Sequence, residues 1–128
     1  MIKGACLCRR IEFEIAEVGR ISYCHCKMCQ KTHGAAFGPY GFVREEDFKL
    51  LSGQQEIRQY RSSEAVTRTF CANCGSTLQF IRDNRAGFGI ALGVLDDDPV
   101  QRVSVQMFCE FKAGWFQLDE RIQQMNSG

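Results

Sequence analysis

The sequence predicts a mainly β protein with little helix, because its apolar residues recur mostly at every second position. The first clear run shows this, since Ile11, Phe13 and Ile15 alternate with Glu12 and Glu14. Such alternation is typical of a strand that buries one face. Twelve glycines separate runs of this kind, and glycine is a common turn residue between strands. Many short strands with few helical segments indicate a β fold.

The predicted elements follow in chain order. Beyond the strand at 11–15, strands are expected around 48–50 with an end at Ser52-Gly53, at 56–61 and 66–71 as a pair around Ser62-Ser63, at 77–81, at 88–95 and at 103–111. The run at 88–95 is nearly continuous in apolar residues, which favours a buried strand. Helix is expected only as one turn at 27–33 and as a short segment at 117–125.

Length and charge exclude several classes of protein. A chain of 128 residues fits one domain, taken as 1–128. Its formal net charge of +1 gives no electrostatic reason to expect nucleic acid as a partner. No apolar stretch approaches the roughly 20 residues of a membrane span. The segment Met1 to Cys8 lacks the apolar run of a signal peptide. The cytoplasm is therefore the expected location.

The most informative feature is the set of eight cysteines. In a reducing compartment, clustered cysteines bind metal more often than they form disulfides. They fall into three tight groups and one isolated residue: Cys6 with Cys8; Cys24, Cys26 and Cys29; Cys71 with Cys74; and Cys109.

The cysteine spacing predicts two zinc ions. Zinc prefers four ligands in a tetrahedral arrangement, and two pairs of cysteines complete one closed site. A group of three leaves a fourth position free, which is the pattern of a catalytic zinc. Spacing alone does not decide which groups combine.

Four other residues require an interpretation. Cys109 follows the apolar face of the last predicted strand, so we expect a buried thiol, with a role as a fourth zinc ligand as the alternative. His25 is expected beside a metal site without binding the ion, and His33 is expected in a loop. Trp115 is expected to anchor the tail in the core.

Taken in order, the motifs resemble the glutathione-dependent formaldehyde-activating enzyme family (GFA). They extend over nearly the whole chain: Gly4-Ala5-Cys6-Leu7-Cys8, Cys24-His25-Cys26-Lys27-Met28-Cys29-Gln30-Lys31, Gly34-Ala35-Ala36-Phe37, Arg68-Thr69-Phe70-Cys71-Ala72-Asn73-Cys74-Gly75-Ser76, Gly93-Val94-Leu95-Asp96 and Lys112-Ala113-Gly114-Trp115. Two positions depart from the family pattern. Arg9 stands where glycine is common, and Gln106 stands where histidine is common.

The resemblance implies a fold, two metal sites and an activity. The fold is a β-tent of coiled antiparallel sheets. One structural zinc is held by Cys6, Cys8, Cys71 and Cys74. A second zinc with an open position is held by Cys24, Cys26 and Cys29. The family activity is the formation of S-hydroxymethylglutathione from formaldehyde and glutathione, which is classed as a carbon–sulfur lyase reaction.

We therefore expect a zinc enzyme that acts on a small thiol such as glutathione. An open zinc can activate a thiol or polarise a carbonyl group. The carboxylates of glutathione call for cationic side chains, and Lys27, Lys31, Arg68 and Lys112 are candidates by their positions in the motifs.

Two alternatives remain open at this point. One is a non-catalytic zinc module that binds a protein partner, in which Cys109 or a histidine completes the second site. The other is a thiol-redox sensor built on Cys24, Cys26 and Cys29.

Overall fold

The structure is a computed structural model that describes residues 1–127. Within that range it contains one α-helix, α1 (Lys27–His33), four short 3-10 helices and eleven strands. The strands are β1 (Ile2–Ala5), β2 (Glu12–Ile15), β3 (Ile21–Cys24), β4 (Gly38–Val43), β5 (Phe48–Ser52), β6 (Ile57–Ser63), β7 (Val66–Cys71), β8 (Thr77–Arg82), β9 (Phe88–Ala91), β10 (Val103–Met107) and β11 (Gln123–Gln124). The mainly β prediction is confirmed.

The strands form two open sheets. The small sheet has the order β1-β2-β5, and both of its pairings are antiparallel. The large sheet has the order β11-β10-β3-β4-β9-β8-β7-β6. Its pairings are antiparallel except at one edge, where β10 runs parallel to both β3 and β11. The resemblance implies antiparallel sheets, so this parallel edge is a difference.

The main core is shared by the two sheets. The alternation in β2 determines which side chains enter it, since Ile11, Phe13 and Ile15 are at most 2% exposed. Phe48 on β5 contacts Phe88 on β9 with ring centroids 5.2 Å apart, which joins the small sheet to the large one. Aromatic pairs at this separation add to the stabilisation from apolar burial. Two cysteines, Cys6 and Cys71, belong to the same buried cluster.

Several predicted boundaries are wrong. The strand predicted at 103–111 ends at Met107, because Phe108 adopts a left-handed conformation (φ 56°) that strands do not accommodate. The strand predicted at 88–95 ends at Ala91, where a 3-10 helix follows. The β6–β7 turn lies at 64–65 rather than at Ser62-Ser63.

The C-terminal helix predicted at 117–125 is also wrong. Residues 123 and 124 form β11 against β10, and the backbone N–H of Met125 donates to the carbonyl oxygen of Gln106 at 2.8 Å. The strand β10, near the edge of the large sheet, offers this segment backbone hydrogen-bond partners, so its N–H and carbonyl groups are satisfied without a helix.

Three strands carry no clear signal in the sequence. These are β1, β3 and β4. The sequence of β4 includes Gly-Pro-Tyr-Gly, which is typical of a turn. Its glycines accommodate close neighbours, since a Cβ at Gly41 would lie 2.5 Å from a side-chain carbon of Val18. Tertiary packing therefore overrides the local preference here.

No helix among residues 1–127 is both long and apolar enough to span a membrane.

A glycine at the end of the small sheet provides a test of the fold. Gly53 has φ 88°, and a Cβ there would collide with the backbone of Arg10 and Ile11. We expect Gly53→Ala to lower the free energy of unfolding by roughly 1–3 kcal/mol, because it combines backbone strain with a steric clash. Urea unfolding measures this change. Gly114→Ala is the matched control, since a Cβ at Gly114 meets no heavy atom within 4 Å. Equal midpoints for the two variants would contradict the described packing.

Candidate metal centres

The structure brings the clustered cysteines together in two groups. Within each group all the sulfur atoms lie within 4.8 Å of one another. The first group has four members and the second has three: Cys6, Cys8, Cys71 and Cys74; and Cys24, Cys26 and Cys29. Both groups could hold a metal ion.

The four-cysteine cluster lies where the two sheets meet. Cys6 directly follows β1 in the small sheet, and Cys71 is the last residue of β7 in the large sheet. A tight turn carries Cys8, in which the N–H of Arg9 donates to the carbonyl oxygen of Cys6 at 3.0 Å. Arg9 itself has φ 64°, a conformation that favours glycine. The departure from the family pattern at this position therefore falls on a strained turn residue.

The second turn of this cluster carries Cys74. The N–H of Gly75 donates to the carbonyl oxygen of Cys71 at 2.8 Å, and Gly75 has φ 80°. The hydroxyl of Ser76 lies 3.2 Å from the sulfur of Cys74 and accepts the N–H of Leu7 at 2.9 Å. Ser76 thus connects the two turns.

The distances in this cluster fit a tetrahedral ion. Two sulfur atoms bound at about 2.3 Å in a tetrahedron lie about 3.8 Å apart. The Cys6–Cys8 and Cys8–Cys71 sulfur distances are 3.6 and 3.8 Å. Burial raises the pKa of Cys6 to about 11, whereas hydrogen bonding by Ser76 lowers the pKa of Cys74 to about 5. A cation would offset the cost of placing buried thiolates together.

The three-cysteine cluster is built from one continuous segment. Cys24 ends β3, and Cys26 is the N-cap of α1, where its sulfur accepts the N–H of Cys29 at 3.4 Å. The Cys24 and Cys26 sulfurs are 3.4 Å apart. The hydrogen bond from Cys24 lowers the pKa of Cys26 to about 2, and the same bond raises the pKa of Cys24. The donor set is therefore suited to a divalent ion that prefers sulfur.

A cavity of about 310 Å³ opens beside this cluster. All three cysteines line it, together with apolar side chains that include Phe42, Phe80, Met107 and Phe108. Four arginines also line it: Arg20, Arg68, Arg82 and Arg85. No aspartate or glutamate lines the cavity within the part of the chain that the structure describes. The cavity is therefore strongly cationic and attracts anionic groups.

A polar chain extends from the cluster through Arg68 and Tyr40, which line the cavity, to His33. The guanidinium of Arg68 lies 3.7 Å from the sulfur of Cys29 and donates to the hydroxyl of Tyr40 at 3.1 Å. Tyr40 and the Nε2 atom of His33 share a hydrogen bond of 2.9 Å. Burial, with the charge of Cys29 second, raises the pKa of Tyr40. Burial and the positive charge of Arg68 lower the pKa of His33 to about 4.

Cys109 and both histidines lie outside the two clusters. Cys109 is buried, as expected, and its thiol donates to the carbonyl oxygen of Gln106 at 3.4 Å. His25 is fully buried and shares a hydrogen bond of 3.1 Å with the side chain of Gln106. Gln106 therefore holds His25 and does not line the cavity. His33 is the last residue of α1, so its expected loop position is wrong.

Most of the predicted cationic candidates lie away from the cavity. Of the four, only Arg68 lines it. Lys27 and Lys31 are exposed on α1. The ammonium of Lys112 donates to the carbonyl oxygen of Phe116 at 3.0 Å and stabilises a turn.

The prediction that Trp115 anchors the core is wrong, since its side chain is 74% exposed. Phe116 takes the apolar contacts instead, with ring centroids 5.5 Å from Phe37 and 5.8 Å from His25. The turn formed by Ala113 and Phe116 leaves Trp115 at its exposed corner.

The sequence motifs miss three of the four arginines in the cavity. Arg20 precedes β3, Arg82 ends β8 and Arg85 lies in the following loop. No local pattern distinguishes Arg20 or Arg85 from solvated surface charge. Arg82 does carry a signal, because it falls on the same face of β8 as Leu78 and Phe80.

A family sequence profile and several known proteins match this chain. The sequence profile described as "Glutathione-dependent formaldehyde-activating enzyme" matches residues 1–111. An uncharacterised lyase of Schizosaccharomyces pombe is 32% identical over 83 residues. That match covers 64% of this chain and 58% of the yeast protein, so it spans little more than half of that relative.

Two further relatives extend over most of the chain. A protein of Halomonas elongata with the provisional name glutathione-dependent formaldehyde-activating enzyme is 23% identical over 133 aligned positions, which cover 96% of this chain and 84% of that protein. A crystal structure of a Rhodobacter sphaeroides protein superposes with a TM-score of 0.60 at 22% identity, covering 79% of this chain and 96% of that one. This last likeness supports the fold alone.

The environment of His33 predicts its titration. A histidine in an unfolded chain has a pKa of about 6.5, and burial lowers the pKa of His33 to about 4. Between about pH 6.5 and pH 4 the unfolded chain therefore binds more protons at His33 than the folded protein does. As the pH falls through this range, His33 lowers the free energy of unfolding. It has no such effect above pH 6.5.

We expect the imidazole of His33 to remain neutral at pH 5 in the folded protein. Nitrogen-15 NMR of the side chains measures this, and His33→Asn assigns the resonance. A titration midpoint near 6.5 would show that His33 is not buried beside Arg68.

Proposed function

The chain belongs to the glutathione-dependent formaldehyde-activating enzyme family, and on that premise we propose that it is a zinc-dependent carbon–sulfur lyase-like enzyme. Its substrate is the adduct of a small thiol with an aldehyde, such as S-hydroxymethylglutathione. One observation carries the proposal: the three-cysteine cluster lies in the wall of a cavity that is lined by arginines. A cluster with a purely structural role has no need of such a cavity.

The proposal assigns two zinc ions with different roles. Cys6, Cys8, Cys71 and Cys74 hold a structural ion, supported by sulfur distances that suit a tetrahedron. Cys24, Cys26 and Cys29 would hold the second ion beside the cavity that all three line. When bound there, zinc supplies Lewis acidity and a binding point for a thiolate.

The arginines support an anionic thiol as the substrate. Glutathione carries two carboxylates, and Arg20, Arg82 and Arg85 make no ion pair with an acidic side chain among residues 1–127. The Nε atom of Arg82 is buried without a hydrogen-bond partner. Such a donor is costly unless a ligand satisfies it. A cavity of about 310 Å³ is at the lower end of the range for small-molecule sites.

The reaction balances without any further reactant. The sulfur of the thiol forms a bond to the carbonyl carbon of formaldehyde, the carbonyl π bond breaks, and the thiol proton ends on the resulting hydroxyl oxygen. The reverse reaction releases thiol and aldehyde. The arginines orient the thiol by its carboxylates, and the apolar side chains of Phe42, Phe80 and Phe108 limit the access of water.

Neither alternative accounts for the arginine-lined cavity beside the three-cysteine cluster. A closed non-catalytic module needs a fourth ligand at the three-cysteine cluster, but among residues 1–127 neither Cys109 nor a histidine places a ligand atom in that group. A thiol-redox sensor predicts loss of zinc and formation of a disulfide with peroxide, which metal analysis after peroxide treatment would reveal. A cytoplasmic location is part of the proposal, since the cysteines must stay reduced.

Serine substitutions separate the two proposed ions. Cys26→Ser keeps an N-cap oxygen for α1 while removing one sulfur ligand. We expect this variant to remain folded, to retain one zinc ion and to lose turnover. Exchange of carbon-13 formaldehyde with its glutathione adduct, measured by NMR above the spontaneous rate, reports turnover. Metal content by mass spectrometry reports the ions.

Cys74→Ser is the matched comparison. It removes a ligand from the cluster that joins the two sheets, so we expect a loss of folded structure by circular dichroism as well as a loss of zinc. If Cys26→Ser unfolds to the same extent as Cys74→Ser, an open catalytic site at Cys26 is wrong.

Removal of one cavity arginine tests the anionic substrate. We expect Arg82→Gln to raise KM for glutathione about tenfold with little change in kcat, because a charge-assisted hydrogen bond made equally in substrate and transition state is lost. For 2-mercaptoethanol, which has no carboxylate, KM should not change. Arg58→Gln is the control, since Arg58 is exposed and donates to the carbonyl oxygen of Gln55 at 2.8 Å. Equal effects on both thiols would contradict carboxylate binding by Arg82.

A further inference from the structure

Arg68 is a buried charge in the wall of the cavity. It lies in the middle of β7 and is 5% exposed. No ion pair with an acidic side chain involves Arg68 anywhere in residues 1–127. A guanidinium that is buried without an anion would destabilise the fold by several kcal/mol. Arg68 therefore requires an anion of another kind.

The contacts of Arg68 identify that anion. Both terminal nitrogens, Nη1 and Nη2, lie 3.7 Å from the sulfur of Cys29. The Nη1 atom also donates to the hydroxyl of Tyr40 at 3.1 Å, and Nε donates to the hydroxyl of Ser62 at 3.0 Å. The guanidinium carbon lies 5.1 Å from the ring centroid of Phe80. Of these neighbours, only the cysteine belongs to a cluster that carries formal negative charge when it binds metal.

The charges of the proposed centre match. Three thiolates and one divalent ion have a net charge of −1, and the guanidinium supplies +1. The four-cysteine cluster differs in this respect, because Cys8 and Cys74 are partly exposed to solvent and the sulfur of Cys6 accepts the N–H of Ile11 at 3.4 Å. In the three-cysteine cluster only Cys26 is partly exposed, and Arg68 lies against the buried Cys29.

We infer that Arg68 is a positioning residue for the second metal centre. Its two N–H groups fix the orientation of the Cys29 sulfur, and its charge neutralises the metal-bound thiolates. The inference rests on the proposed function, since it requires a metal at Cys24, Cys26 and Cys29. It also explains why the cavity has further arginines. A thiolate substrate adds one more negative charge, which Arg68 does not offset. The other cavity arginines would offset that charge.

Metal affinity tests this role without any measurement of turnover. Arg68→Gln removes the positive charge. Arg68→Lys keeps the charge but lacks the two N–H groups that face Cys29. Arg58→Gln is the control, because it removes an exposed arginine on the neighbouring strand β6. Competition with a chromophoric chelator measures zinc affinity at each site. Cobalt substitution reports the sulfur ligands by their charge-transfer absorption.

We expect Arg68→Gln to weaken the second zinc site about ten- to a hundredfold, the range typical of residues that orient metal ligands. Arg68→Lys should show a smaller loss. The four-cysteine site should keep its affinity in both variants and serve as an internal reference. The cobalt absorption of the second site alone should shift in Arg68→Gln.

Two other outcomes would overturn the inference, and they can be told apart. If the wild-type protein binds two ions and Arg68→Gln binds both with unchanged affinity and spectrum, Arg68 does not position the centre, while the proposed function stands. If the wild-type protein binds only one ion, the proposed function and the inference fail together. If Arg68→Gln does not fold, Arg68→Lys replaces it, because it keeps the charge, loses the paired N–H donors to Cys29 and should still shift the cobalt spectrum of the second site. An unshifted spectrum in Arg68→Lys would then overturn the inference.

Discussion

The four sulfur atoms of Cys6, Cys8, Cys71 and Cys74 meet at the junction of the two sheets, and much of the remaining structure depends on that meeting. Cys8 and Cys71 are 63 residues apart in sequence, yet their sulfurs are 3.8 Å apart. Four thiols at these distances repel one another once they ionise, so a cation is needed to hold them together. Because Cys6 and Cys71 also belong to the main core, a metal ion there would join electrostatic and apolar stabilisation at one place.

The three-cysteine cluster has a different construction. Its ligands come from one short segment between β3 and α1, so its geometry depends on local backbone structure and on the N-cap of a helix. Long-range packing instead supplies its environment. Tyr40 comes from β4, Arg68 from β7 and Phe80 from β8, and all three line the cavity beside the cluster. The ligand set is therefore local, whereas the residues around it come from distant segments of the chain.

The sequence predictions succeeded where local residue patterns determine an element, and they failed where long-range contacts determine it. The strand β2 could be predicted because its strict alternation of residue types matches the alternation of its burial. The strand β4 could not, because its Gly-Pro-Tyr-Gly sequence favours a turn and packing decides otherwise. The end of β10 at Phe108 had no signal, since phenylalanine rarely adopts a left-handed conformation. The tail became a strand because an open sheet edge provided hydrogen-bond partners.

The sequence by itself determined the mainly β class and the grouping of the cysteines. Spacing of two or three residues keeps side chains within reach of one another whatever the rest of the chain does. The family resemblance determined which pairs to combine, and the structure brings the same four sulfurs together. Only the tertiary structure decided that Arg20, Arg68, Arg82 and Arg85 line one cavity while Lys27, Lys31 and Lys112 do not. The physical reason is that sheet order joins residues from distant segments, and no periodicity in a sequence records that order.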